Sequence, residues 1–157
     1  MDLYPTLIQF HSLLRWLLLL FVVASIVKSA IGLSSGQRWG IVDHKLSIYS
    51  LIMAHLQLVL GLVLYFISPV VQSAIDLVQT QGMGAVMKDD SLRFWLVEHF
   101  LTMLAGIILI TIGRVKAKKA TDDRQKHRAI VVFFLIGLIL ILSRVPWPWM
   151  EVGRPLF

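Results

Sequence analysis

Within the apolar stretches of this sequence, the residues able to do chemistry are His11 and Arg15, His55 and Gln57, Glu98 and His99, and Arg144. A polar side chain at membrane depth costs several kcal/mol unless it is paired or lines a cavity, so each is a candidate functional residue. His11 and Arg15 are four apart and share a helical face, one turn above the other. Glu98 and His99 are adjacent and diverge by about 100° around a helix. Only one of them can face a bundle axis squarely; the other needs a partner, and Arg15 or Arg144 is the expected counter-ion for Glu98. The chain has no cysteine, which removes thiolate metal sites, cysteine nucleophiles and a disulfide scaffold.

Three histidines on three apolar runs suit two chemistries. A haem with two axial imidazoles needs them facing one another across a gap within an apolar bundle. Neighbouring helices lie about 8–10 Å apart, so diagonal helices of a square array, at roughly 13 Å, offer the better opening. His11 and His99 fall at matching depth, one to two turns below the same surface, on the first and third runs. His55, near the midplane, is an alternate ligand, a residue of a second site, or a hydrogen-bonding group for a quinone. Gly61 and Gly106, close to whole turns after His55 and His99, let either a flat ligand or a neighbouring helix approach. The second chemistry is a transition-metal site using His11, His55, His99 and Glu98, against which their differing depths count. A third reading has no cofactor: the polar residues, with Glu98 and Arg15 at the centre, form a network that fixes helix register in an accessory subunit. His44 and His127, flanked by charges, are expected to be solvated or to meet lipid headgroups.

The elements that must position these residues follow from composition. Of 157 residues, 57% are hydrophobic and 15% charged, and mean hydropathy is +0.79. Soluble domains run at about 45–50% apolar and about 25% charged. Four runs long enough to cross about 30 Å of hydrocarbon cover about 7–33, 44–67, 91–115 and 129–145. The first is a poor signal peptide, because 1–9 holds Asp2 and no Lys or Arg. Asp43 is the expected N-cap of the second run, Ser68 and Pro69 its stop, and Thr121, Asp122 and Asp123 the cap of the fourth. Pro146, Trp147, Pro148 and Trp149 close the fourth at an interface. Between the second and third runs, Val70, Val71, Ala74, Ile75, Leu77 and Val78 recur at helical spacing, as in a short amphipathic helix lying on the surface. The fold class is therefore all-α, an integral membrane up-down-up-down four-helix bundle with a short amphipathic helix in the outer loop.

The net charge of +6 reports topology more than partners. Arg114, Lys116, Lys118, Lys119, Arg124, Lys126 and Arg128 lie in one stretch between two apolar runs, and basic loops stay in the cytoplasm. The sequence thus places both termini outside, across the membrane from the basic loops, in contact with the lipid bilayer and with no nucleic-acid partner expected. P-loop, dinucleotide, G-x-S-x-G and H-E-x-x-H motifs are missing. An electron-transfer or accessory protein is expected rather than a stand-alone enzyme.

The motifs H-S-L-L-R-W at His11 to Trp16, A-H-L-Q-L with G-L-V-L-Y-F-I-S-P at Ala54 to Pro69, and F-W-L-V-E-H at Phe94 to His99 resemble a group of small four-span membrane proteins of Bacteroidetes-type bacteria labelled cytochrome b-like. The I-G-R-x-K-x-K-K run from Ile112 and the P-W-P from Pro146 fit it too, and the likeness extends over nearly the whole chain. It implies b-type haem and membrane electron transfer, carried over to His11, His55 and His99, with Arg15 or Arg144 near the propionates. Cytochrome b561 is a more distant likeness, sharing a His early in the first span. The fourth run lacks an intramembrane His, so at most one bis-His haem is expected. A quinone or respiratory-chain protein as redox partner, and a homo-oligomer or larger complex, are further expectations.

Overall fold

A computed structural model describes residues 3–154. Its helices are α1 (Leu3–Ser35), α2 (Ile41–Ile67), α3 (Pro69–Gln81), α4 (Met83–Lys88), α5 (Asp90–Arg93), α6 (His99–Lys119) and α7 (Asp123–Ser143), with a π-helical turn, Phe94–Glu98, joining α5 to α6. No strand occurs among the described residues. Leu3–Ser35, Ile41–Ile67, Asp90–Lys119 and Asp123–Ser143 are long and apolar enough to cross a membrane. At about 1.5 Å per residue α1 is roughly 50 Å long, so it tilts or projects beyond a hydrocarbon layer of about 30 Å.

Each helix packs on its neighbours in a ring: α1 on α2 and α7, and α6 on α2 and α7. This places α1 and α6 diagonally, the arrangement that the four-run reading expects. One end of the bundle carries α3 and α4; the other, which holds the basic loops, is the basic end.

Local chemistry accounts for the helix ends. The Asp122 side chain accepts the Gln125 N–H and caps α7. Asp43 is not the N-cap of α2. Gly40 holds that position, and Asp43 sits three residues into the helix, its carboxylate reaching back to the Gly40 N–H at 3.0 Å. Gly82 separates α3 from α4 at φ +84°, a conformation that only glycine adopts without strain. The amphipathic helix expected between the second and third spans is α3, which buries Val71 and Ala74 against Leu96 and Val86 under partly buried Tyr65 and Trp95.

The main core comprises Val22, Ile110, Ile130 and Phe134, all fully buried, with Leu18, Ile107 and Ile141 around them. Leu13, Leu20, Val59, Leu101 and Ile139 point outward, as suits helices solvated by lipid. In lipid the helices gain little from hydrophobic burial and hold by close packing. The α6–α7 contact shows this: a Cβ on Gly137 would lie 2.9 Å from the Gly106 carbonyl oxygen, and one on Gly106 would lie 2.8 Å from Ile141 Cγ1. Gly106 therefore serves helix packing, the second of its two sequence readings.

Candidate functional site: an imidazole-lined cavity between diagonal helices

One cavity of about 120 Å³ opens inside the half of the bundle nearer α3. Along α1 it runs from Tyr4 to Leu18, roughly 21 Å at 1.5 Å per residue. His11, Ser12 and Arg15 enter it from α1, Gln57 and Gly61 from α2, and His99 from α6. Its remaining walls are mostly apolar, as in small-molecule sites generally.

His99 owes its position to the π-helical turn. The extra residue per turn re-aims the side chains beyond it, and His99 becomes the first residue of α6. The Tyr65 hydroxyl donates to the Leu96 carbonyl in that turn at 3.0 Å and its ring packs against Phe100. Phe94 and Trp95 lie beside the imidazole, with ring centroids at 5.8 and 5.5 Å. His99 Nδ1 donates to the Arg144 carbonyl oxygen at 2.8 Å. A carbonyl only accepts, so Nδ1 bears the hydrogen and the neutral ring keeps a lone pair on Nε2. This is the arrangement by which proteins orient a ligating imidazole.

His11 is held from the other side. The Gln57 amide nitrogen is 3.0 Å from His11 Nε2 and 3.1 Å from the His11 carbonyl oxygen. It donates to both, so the lone pair of this ring lies on Nε2. His11 Nδ1 and Gln57 Oε1 are buried without a hydrogen-bond partner among the described residues. Gly61 faces the ring closely: a Cβ there would lie 3.2 Å from His11 Cε1.

The other sequence candidates divide. Arg15 is 7% exposed and lines the cavity beneath His11. Arg144 does not line it; its backbone anchors His99, and its guanidinium Nε lies 3.3 Å from Glu98 Oε2. Glu98 also accepts from Arg93 Nε at 2.8 Å. Its partners are thus Arg144 and Arg93, and Arg15 is not among the ion pairs Glu98 makes with described residues. His55 stands on the exposed face of α2, its Nδ1 bonded to the Leu51 carbonyl oxygen of its own helix at 2.9 Å, and it is not part of the cavity. No three His, Asp or Glu side chains come together as a metal-binding group among the described residues.

Arg154 lines the cavity although the sequence pattern gives no sign of it. The segment after α7 folds back, the Arg154 N–H donating to the Pro146 carbonyl oxygen at 3.2 Å, and the guanidinium lies 4.2 Å from the Trp95 ring centroid. His127 is also a correction: expected at a solvated boundary, it is fully buried. His44 is exposed, as expected, with Nδ1 3.3 Å from a nitrogen of the buried Arg114.

No family model, curated protein or solved structure matches this chain.

Proposed function

We propose that the cavity takes a b-type haem between His11 and His99, and that the protein carries electrons within a bacterial inner membrane. One observation supports this most: two imidazoles from diagonal helices line one apolar cavity. The donor set suits the group. His99 offers a lone pair on Nε2 with Nδ1 already anchored. His11 offers the lone pair now bonded to Gln57, a bond that ligation would have to release. Arg15 and Arg154 are the cavity's cationic side chains, and they, rather than Arg144, would meet the carboxylates. A bound haem would supply reversible one-electron chemistry. The protein's part is to fix both rings, exclude water with aliphatic and aromatic walls, and set the charge around the site.

At about 120 Å³ the cavity is close to one that admits benzene, so a macrocycle enters only as the walls part. That volume favours, as a second reading, a single-ring ligand such as a quinone-type headgroup, whose quinol hydroxyl would donate to His99 Nε2 while Arg15 donates to a ring oxygen.

By the positive-inside rule the basic end faces the cytoplasm. The haem would then lie towards the periplasm, within reach of a quinone or a respiratory-chain protein. Haem titrated into the purified protein in lipid nanodiscs tests the proposal. Saturation at one haem per chain with a six-coordinate b-type spectrum is expected. Absence of a saturable spectral change, with a ubiquinone analogue protecting His99 from modification, would favour the second reading instead.

A further inference from the structure

At the basic end, away from the cavity, four segments meet around one buried carboxylate. Asp43 of α2 is 4% exposed and His127 of α7 is fully buried. Asp43 Oδ2 accepts the Gly40 N–H. Oδ1 makes no hydrogen bond, with Lys28 Nζ at 3.5 Å and His127 Nδ1 at 3.8 Å. The other imidazole nitrogen, Nε2, lies 3.2 Å from the Gln37 carbonyl oxygen. Since that carbonyl only accepts, Nε2 carries a hydrogen. A neutral ring would then turn a bare lone pair on Nδ1 towards a carboxylate oxygen whose other charged neighbour among the described residues is the Lys28 ammonium at 3.5 Å.

Two buried acceptors facing each other repel, and the Nδ1 lone pair is left unsatisfied. The ring has little freedom to turn away. A Cβ on Gly32 would collide with it, and the Trp39 ring covers it at 5.1 Å between centroids. One proton between the two atoms removes the conflict.

We propose that Asp43 and His127 form a proton-binding latch, with the proton on His127 Nδ1, tying α7 to the α1–α2 hairpin at the basic end. The charged groups around it favour that assignment. From α1, the Lys28 ammonium stands 3.5 Å from Asp43 Oδ1 and donates to Gln37 Oε1 at 3.1 Å. On α7, Asp123, one turn before the imidazole, accepts at 2.8 Å from Lys126, the residue next to His127, so the two engage each other. On α2, His44 and Lys45 come directly after Asp43 and are exposed; from α6, Arg114 turns a nitrogen to His44. Asp43 is thus the carboxylate that His127 meets directly.

This inference stands apart from haem binding.

The test is solid-state ¹⁵N NMR of histidine-labelled full-length protein in lipid bilayers at pH 7, with His127 assigned through backbone correlations so that no variant is needed. Both His127 nitrogens protonated is the expected result, with Nδ1 losing its proton in Asp43→Asn. A neutral His127 with a bare Nδ1 in the wild-type protein would overturn the latch. So would a His127 that stays doubly protonated in Asp43→Asn, since the proton would then owe nothing to Asp43. If Asp43→Asn does not fold, the wild-type spectrum decides alone: a doubly protonated His127 supports the latch and a neutral one overturns it.

Discussion

Gly61→Ala is the most discriminating small change at the cavity. The added Cβ would lie 3.2 Å from His11 Cε1 and 3.9 Å from Nδ1. The first distance is a few tenths of an ångström inside comfortable contact, and the His11 backbone is held by the Gln57 amide, which donates to its carbonyl oxygen at 3.1 Å. The imidazole must therefore tilt. Overpacking of a closed site costs about 1–3 kcal/mol, and every 1.4 kcal/mol is tenfold in affinity. A loss of roughly 5- to 100-fold in haem affinity is thus expected, measured by Soret titration in nanodiscs, and Gly61→Val should lose more. Gly84→Ala is the control, because a Cβ there meets nothing within 4 Å. If Gly61→Ala and Gly61→Val bind haem as tightly as wild type while both fold, His11 is not a ligand held against α2.

Gln57→Leu removes the amide that occupies the His11 Nε2 lone pair; it should tighten haem binding while lowering the stability of the haem-free protein by about 1 kcal/mol, as seen by thermal unfolding in detergent. Gly137→Ala forces α6 and α7 apart at the Gly106 carbonyl; a cost of about 1–3 kcal/mol is expected in the same assay, with the α6–α7 pairing loosened in cross-linking. Tyr65→Phe deletes the hydroxyl that donates to the Leu96 carbonyl. Faster hydrogen exchange in the π-helical turn and a loss of about 0.5–1.5 kcal/mol should result.

The spans were legible because lipid imposes a simple rule, long apolar runs with charges outside, and their order fixed which helices stand diagonally. Matching depth for His11 and His99 came from counting residues. The exposure of His55 was also within reach. Asp43, Ser47, Ser50 and Ala54 are the buried residues of α2 and recur at three- and four-residue steps. Continued, that stripe passes through Gln57 and Gly61, and His55 lies about 100° off it. The π-helical turn has no sequence signature of its own, so the inward aim of His99 rather than Glu98 could not be chosen from spacing. Arg154 returns to the cavity only because the chain folds back after Pro146. Asp43 and His127 are far apart in sequence, and no periodicity connects residues on different helices that meet end to end.

The central claim is that His11 and His99 face one ligand. Reduced-minus-oxidised difference spectra of the wild-type protein beside His11→Ala, His99→Ala and His55→Ala, each purified with haem supplied, test it most directly. The expected result is a b-type signal in the wild type and in His55→Ala, lost in both of the others. A signal that survives in His11→Ala and His99→Ala, or that disappears in His55→Ala alone, would contradict it.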